Sequence, residues 1–289
     1  MINRLSVSVQ KRWEERKKLI LSADFRLSDT TAEKEDRIER AQKDYDYFVR
    51  TYFPHLCTDS ESGEIIPSAP FHIDAANYLK KHRNARCLFE WARGHAKSTH
   101  ISLITPLWLY IQETRTINVM LLVSKSEDAA DRLLSDLQCE LEFNTLLKSD
   151  FNIEIDSSYW GIGEFRTKDG VLFISIGRGQ SPRGIKNRGK RPDYVVVDDI
   201  DDDEIVRNDA RIAQAFDWCM NGTVLPALTR LGIVPANMMF SFNSEEDTGE
   251  LWSRTAQAMQ YYEIDPAWIK NRFGIEVTQK KNSENGFFG

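Results

Sequence analysis

The sequence predicts an α/β fold in which helices flank a mostly parallel central sheet, giving three layers. Three apolar runs have the length and composition of buried strands: 87–89, 117–124 and 194–197. The last run has four consecutive β-forming residues, which is typical of a parallel strand buried on both faces. Patterns with helical spacing lie between these runs, at 101–111 and 126–147. Strands that alternate with helices favour a parallel sheet.

A short loop rich in small residues joins the first apolar run to the helix at 101–111. Residues 92–99 are Ala-Arg-Gly-His-Ala-Lys-Ser-Thr. A strand, a small-residue loop, a Lys-Ser pair and a helix follow one another in phosphate-binding loops. In such loops backbone N–H groups point at the phosphates, the Lys binds the terminal phosphates and the hydroxyl holds Mg²⁺. The candidate nucleotide-binding residues are Arg93, Gly94, His95, Ala96, Lys97, Ser98 and Thr99, and Ser98 is also a candidate Mg²⁺ ligand.

This loop departs from the common glycine pattern of the motif. That pattern would place glycine at two positions where this chain has Trp91 and Ala96. The alternative interpretation is a solvated lysine at an ordinary helix start, with Ser98 or Thr99 as the cap. The loop alone leaves both interpretations open.

Two carboxylates directly follow the apolar run 194–197. At the carboxyl end of a buried strand they would lie where open α/β sheets bind ligands. In a phosphoryl-transfer site Asp198 would orient Mg²⁺, and Asp199 would polarise the attacking water. Two alternatives are a solvated acidic turn and a bare divalent-metal site within 198–204, because the acidic run continues. Combined with Lys97 and Ser98 earlier in the chain, the pair predicts a P-loop NTPase that uses ATP and Mg²⁺.

Both stretches resemble those of the phage terminase large subunits, the motors that package viral DNA. In the deviant phosphate-binding loop of that family an Arg precedes the Gly, as Arg93 does here, and Ala can precede the Lys, as Ala96 does. Residues 177–184, residues 191–193 and the Asp pair also resemble the family. The resemblance covers roughly 45–254, which corresponds to the ATPase portion of a terminase.

The resemblance implies an ATPase that couples Mg-ATP hydrolysis to translocation of duplex DNA. It also implies a terminase small subunit and a portal protein as partners, a homo-oligomeric ring on the portal, and the host-cell cytoplasm as the location. In terminases a segment before the phosphate-binding loop contacts adenine. By position Phe71 and His72 are the candidates, although an aromatic-His pair before a helix is more often a core or cap pair. Asn243 is the candidate sensor of the γ-phosphate, at a position where the family more often has Thr.

A basic segment at 178–191 contains no acidic residue. Such a segment is a candidate contact for polyphosphate or DNA, and the alternative is a solvated loop that balances the acidic run after it. A guanidinium group suits the negative charge that develops on a transferred phosphoryl group. Arg183 and Arg93 are the two candidates for this catalytic role, and the sequence does not choose between them.

Two departures limit what the resemblance implies. Asp199 stands where many relatives have Glu, and its shorter side chain reaches less far toward the water. A full terminase also carries an RNase H-like nuclease domain, whereas only a short segment follows Arg254 here. We therefore expect no nuclease activity from this chain.

The sequence divides into an N-terminal helical extension at 1–53, an ATPase domain at 54–260 and a C-terminal tail, or the start of a linker, at 261–289. The extension is rich in charge, and Thr30 begins a helix-start signal for a helix predicted over 31–52. It either packs against the ATPase domain or serves as an arm that binds a partner.

Composition limits the classes of function. A formal net charge of −6 over 289 residues means that any contact with DNA is a local patch and not a global field. The four cysteines have no C-x-x-C spacing, so neither a zinc site nor a disulfide framework is expected. No apolar run approaches the roughly 18 residues of a membrane-spanning helix, so no membrane contact is expected.

Two rival functions share these motifs. A helicase-type DNA-dependent ATPase would use Lys97 and Asp198 in the same way but would separate strands. A non-catalytic nucleotide-binding assembly module would bind ATP without turnover. A strand-separation assay and a turnover assay distinguish the three.

Overall fold

The computed structural model describes residues 6–23, 29–59, 61–83, 85–181, 185, 187–200, 209–219 and 238–241. Seven strands within these ranges form one sheet, in the order β1-β7-β6-β2-β5-β4-β3. The strands are β1 (Arg86–Leu88), β2 (Val119–Ser124), β3 (Ile155–Trp160), β4 (Glu164–Thr167), β5 (Leu172–Gly177), β6 (Tyr194–Asp198) and β7 (Met238–Ser241).

Helices make up most of the remaining described chain. They are α1 (Val7–Ser22), α2 (Thr31–Lys43), α3 (Tyr45–Tyr52), α4 (Pro54–Cys57), α5 (Pro70–Lys81), α6 (Thr105–Tyr110), α7 (Glu127–Phe143), α8 (Thr145–Phe151) and α9 (Asp209–Asp217). A π-helical segment, Thr99–Ile104, precedes α6 without a break. Within the part of the chain that the structure describes, no helix is both long and apolar enough to span a bilayer.

The sheet confirms the predicted α/β class. β1, β7, β6, β2 and β5 are parallel, and only β4 and β3 run antiparallel to their neighbours among the described strands. Side chains of β2 alternate between two apolar clusters: Met120 and Leu122 join one, whereas Leu121 and Val123 join the other. The central strands are therefore buried on both faces, as the unbroken apolar runs predict.

The first strand differs from its prediction. The run 87–89 predicts a buried strand, but β1 stands at the end of the described strand order, and Leu88 is 53% exposed. β1 pairs with β7, and among the described strands it has no neighbour on its other side. An apolar run thus identified the strand but not its position at the edge.

Two predicted helices are each divided by a capping side chain. The helix expected over 31–52 ends at Lys43, because the Asp44 carboxylate accepts a hydrogen bond from Tyr47 N at 3.0 Å and starts α3. Asn144 starts α8 in the same way, through Leu147 N at 3.1 Å. Thr30 begins α2 as predicted, with reciprocal bonds between Thr30 and Glu33.

The N-terminal helices pack on the sheet layer. α1 lies along α7, where the guanidinium of Arg12 pairs with Asp136. α3 contributes Tyr45, Phe48 and Tyr52 to the larger apolar cluster. For the described residues the structure therefore shows the packed arrangement and not a projecting arm. The predicted C-terminal segment 261–289 lies outside the described residues.

The strand pair β4–β5 forms the hairpin that an Asp-Gly dipeptide between apolar runs predicts. Gly170 adopts φ = +96°, which glycine reaches without steric cost. Asn187 Nδ2 donates to the Gly170 carbonyl at 2.6 Å, so part of the basic segment packs against this turn. All four cysteines are free thiols, in agreement with their scattered spacing.

Candidate functional site

The parallel strands end along one edge of the sheet, which we name the loop edge. The segment 89–96 leaves β1 at this edge, and Asp198 ends β6 there. β7 lies between them and pairs Asp198 with Ser241. Ligands of open α/β sheets bind outside the carboxyl ends of the strands. The topology therefore brings the two stretches singled out from the sequence to the same edge, one strand apart.

The loop after β1 has an unusual backbone. Gly94 adopts φ = +83°, and Ala96 adopts φ = +52°, whereas His95 between them has no positive φ. A left-handed φ costs a residue with a side chain about 1–2 kcal/mol. Ala96 thus takes the conformation that the missing glycine of the common pattern would take freely. Such strain at a non-glycine residue is characteristic of functional sites.

Lys97 begins the helix that follows this loop. It is 8% exposed, which is rare for a lysine. The first N–H groups of a helix have no intrahelical acceptor and attract anions. Ser98 and Thr99, in the same turn, are half-buried. The side chain of Lys97 and the N-terminal end of this helix therefore make this part of the loop edge electropositive.

The side chain of His72 connects α5 to this loop. Its Nδ1 accepts a hydrogen bond from Ala69 N at 3.2 Å, so its Nε2 carries the proton and donates to the His95 carbonyl at 2.9 Å. Burial lowers the pKa of His72, which keeps the imidazole neutral. His72 is thus engaged with backbone groups on both sides.

Aromatic rings surround this connection. The rings of His72 and His100 stack at 3.7 Å between centroids, and the phenol of Tyr45 lies 2.9 Å from Nδ1 of His100. Burial, together with the neighbouring His72, lowers the pKa of His100 to about 3. Phe71 stacks on His95 at 5.6 Å and is 37% exposed. Of the two residues predicted to contact adenine, Phe71 is the one that presents an open ring.

Asp198 is buried at the loop edge. It is 2% exposed, and its Oδ2 accepts a hydrogen bond from Ser102 Oγ at 3.1 Å. Ser102 belongs to the π-helical segment that continues from the loop. This hydrogen bond joins the end of β6 to the helix that begins at Lys97.

Asp199 is held by the strand end next to it. Its φ is +49°, and its Oδ2 lies 2.8 Å from Nζ of Lys125. Its carbonyl accepts hydrogen bonds from Lys125 N at 3.1 Å and from Ser124 Oγ at 3.3 Å. The end of β2 therefore sets both the backbone and the side-chain direction of Asp199.

The loop edge suits an ion that takes many of its ligands from water and phosphate. Within the described ranges no group of three or more His, Cys, Asp or Glu side chains is placed to hold a metal. Mg²⁺ is typically bound through one or two carboxylates together with substrate phosphates. One buried carboxylate, Asp198, fits that requirement. Residues 201–204, which the bare-metal alternative needs, lie outside the described residues.

The structure places most of the predicted site residues on the loop edge. Arg93 is exposed in the turn before Gly94. Arg183 and Asn243 lie outside the described residues, so their predicted roles stay predictions. The role of Ser98 as a Mg²⁺ ligand also stays a prediction.

Two basic residues of the 178–191 segment contact other parts of the chain. Arg178 Nη1 donates to the Ile200 carbonyl at 2.9 Å, and Lys190 Nζ donates to Asn118 Oδ1. Asp193, just after the segment, accepts bonds from Asn118 N and Val119 N and so aligns β6 with β2. These contacts give part of the segment a structural role beside any role in binding.

Sequence reasoning missed three contributors to this edge: Ser102, Lys125 as the partner of Asp199, and His100. Ser102 left a signal, because it is a hydroxyl within the apolar run 101–111. Nothing in the local sequence links Lys125 to Asp199, which lies 74 residues later in the chain. The pairing of His100 with His72 depends on the packing of α5 and left no local signal.

Comparison with known proteins does not assign the chain. No protein-family model matches its sequence, and no curated protein shows significant similarity to it. The grounds for inferring a function are therefore the geometry of the loop edge and the motifs of the sequence itself.

Proposed function

We propose that this chain is the ATP-hydrolysing motor portion of a DNA-packaging terminase large subunit, with a P-loop NTPase fold. The observation that carries the proposal is the placement of the loop after β1 and of Asp198 at one edge of a parallel sheet. The hydrogen bond from Ser102 to Asp198 joins the two. The resemblance of residues 92–99 to the terminase loop supports the specific class.

The roles of the residues follow from their chemistry. Lys97 binds the terminal phosphates, and backbone N–H groups of the loop and of the first helical turn bind the others. Ser98 and Asp198 would hold Mg²⁺, which supplies charge neutralisation when it is bound. Asp199 orients the attacking water and accepts its proton. Arg93 or Arg183 stabilises the charge that develops on the transferred group.

The resemblance extends the proposal to partners. Hydrolysis would drive translocation of duplex DNA, with the chain in a homo-oligomeric ring on a portal protein and a small terminase subunit delivering the DNA. The host-cell cytoplasm is the corresponding location. A helicase-type ATPase remains the rival motor, and strand separation by the purified chain would favour it.

An ATP-binding module without turnover is the second candidate function. One observation favours it: Asp199 is engaged by Lys125 at 2.8 Å, and Asp reaches less far than Glu. Tight ATP binding without turnover, with duplex DNA present, would support this candidate.

The test is Mg²⁺-dependent ATP hydrolysis by the wild-type chain and by Lys97→Ala, with and without linear duplex DNA. We expect the substitution to lower the rate at least about 100-fold, as expected for the loss of a group that stabilises transition-state charge. Lys81→Ala, which removes an exposed lysine at the end of α5, is the matched control and should leave the rate unchanged. Equal rates in wild type and Lys97→Ala would reject the assignment of the loop.

A further inference from the structure

A side chain outside the loop, that of His72 on α5, orients the peptide bond between His95 and Ala96. The His95 carbonyl accepts the Nε2–H of His72 at 2.9 Å, and the Nδ1 of His72 accepts Ala69 N–H at 3.2 Å. A neutral imidazole has one donor and one acceptor, so these two bonds specify the tautomer. His72 is 8% exposed and is stacked on His100. The ring is therefore held in one orientation.

A trans peptide places its carbonyl and its N–H on opposite sides. The described chain contains no cis peptide bond. Since the His95 carbonyl faces His72 on α5, the Ala96 N–H faces away from α5. Backbone φ changes sign at Gly94, His95 and Ala96 in turn. Successive N–H groups in such an alternation can line an anion-binding concavity. The His95 N–H donates to the Ala92 carbonyl at 3.2 Å, so the Ala96 N–H is the group of this pair that faces an anion.

We propose that His72 is a positioning residue for phosphate binding, which turns the Ala96 N–H toward a phosphate oxygen by holding the His95 carbonyl. This inference rests on the proposed function, because it assigns His72 to the phosphate site of that same loop. It differs from the adenine contact predicted from position. It also differs from a role as a cap for α5, which would need only the bond from Ala69.

Two substitutions separate the two hydrogen bonds of His72. His72→Gln carries an amide nitrogen at about the reach of Nε2, so it retains the donor to the His95 carbonyl. His72→Asn carries an acceptor at about the reach of Nδ1, so it retains the bond from Ala69 but loses the donor. A phosphate-positioning role therefore predicts damage in the Asn variant and tolerance of the Gln variant. A capping role predicts the reverse.

The measurement is calorimetric binding of two probes to the full chain in the presence of Mg²⁺: ATP and inorganic tripolyphosphate. We expect His72→Asn to weaken both about tenfold, the size of one lost hydrogen bond to a charged group, and His72→Gln to weaken both less than about threefold. Weakening of ATP alone in the Asn variant would show an adenine contact and overturn the inference. Equal affinities in both variants would also overturn it.

A second measurement titrates the wild-type chain and does not depend on how the His72 variants fold. Titration of ¹⁵N-alanine-labelled protein with Mg²⁺-tripolyphosphate should move the amide signal of Ala96 downfield, with the signal identified by its loss in Ala96→Gly. A stationary signal under saturating probe would contradict the inference. If the wild type binds neither probe, the proposed function falls as well, whereas binding without the His72 effects rejects the inference alone.

Discussion

Two regions of the molecule each bury a carboxylate: the helices around Asp150 and the loop edge around Asp198. The conformation of the backbone that holds the carboxylate differs between them. Asp150 lies in α8, where it accepts hydrogen bonds from Arg37 Nε at 2.7 Å and from the Tyr52 hydroxyl at 2.8 Å. Three regular helices supply these groups. Asp198 instead lies beside a residue with positive φ, Asp199.

The non-glycine residues with positive φ show the same contrast. Among the described residues they are Ala96, Asn152, Arg188 and Asp199. Asn152 ends α8 at a cap position that tolerates this conformation. Ala96 and Asp199 lie on the loop edge, at the residues that the proposed function uses. The helical region buries charge to hold the fold, whereas the loop edge keeps strained residues in place, and strain of that kind is a reason to infer function.

The strongest test of this contrast is to remove the buried carboxylate of the helical region. Asp150→Ala leaves Arg37 near the protein interior with only Asp29 as its remaining described partner. Breaking a buried ion pair from one side costs about 3–5 kcal/mol, so we expect a loss of that order in the free energy of unfolding, measured with urea. ATP affinity below the unfolding transition should not change.

The matched control is Glu39→Ala, which removes an exposed partner of Lys43. An exposed i,i+4 pair contributes about 0.3–0.5 kcal/mol, so this variant should lose no more than that. Similar losses in the two variants would mean that the ion pair of Asp150 does not anchor the N-terminal helices.

The parts of the fold with unbroken apolar runs could be predicted from the sequence. β2 begins with five consecutive apolar residues and β6 with four consecutive β-forming residues, and both strands lie in the centre of the sheet. β3 was missed because Asp156, Ser157 and Ser158 break any apolar alternation on this half-exposed strand. The helix breaks at Asp44 and Asn144 were missed because apolar spacing continues across the capping residues.

The candidate site could be predicted only where its residues adjoin a strand end in sequence. Lys97 and Asp198 follow apolar runs, and the rule for parallel sheets places both at one edge. Ser102, the partner of Asp198, lies 96 residues before it in the chain. Lys125, the partner of Asp199, directly follows β2 and lies 74 residues before it. Such pairs depend on which strands become neighbours, and no local pattern in the chain records that.

The pH dependence of the free energy of unfolding gives a further test of the comparison between the helical region and the loop edge. Burial lowers the pKa of His100 in the folded chain to about 3, with His72 adding to the shift and Asp46 opposing it. The unfolded chain, with a histidine pKa of about 6.5, then binds more protons below that pH. Stability from this residue is complete above about pH 6.5 and falls by up to about 1.4 kcal/mol per pH unit as the pH drops toward 3.

Urea unfolding is measured between pH 5 and 6.5, where most carboxylates stay ionised. Burial also lowers the pKa of His72, so both histidines contribute to the pH dependence of the wild type, and the contribution of His100 is the difference between the wild type and a variant without it. His100→Asn retains an acceptor for the Tyr45 hydroxyl but does not titrate, so its stability should depend less on pH than that of the wild type. The comparison uses the slope and not the absolute stability, which the substitution also changes. Identical slopes would show that the folded-state pKa of His100 is not depressed.

The smallest expected effects separate backbone strain from contacts in the loop itself. A Cβ at Gly94 would meet no heavy atom within 4 Å, so Gly94→Ala should lower the free energy of unfolding only by the cost of a left-handed φ, about 1–2 kcal/mol.

Ala96→Gly should remove a similar strain, while the greater flexibility of glycine in the unfolded chain offsets about 0.5–1 kcal/mol of the gain. We therefore expect Ala96→Gly to stabilise the chain by roughly 0.5–1 kcal/mol in urea unfolding. If Ala96→Gly instead lowers the free energy of unfolding, as glycine does in an ordinary helix, then Ala96 is not left-handed. The loop edge would then lack the strain that distinguishes it from the helical region.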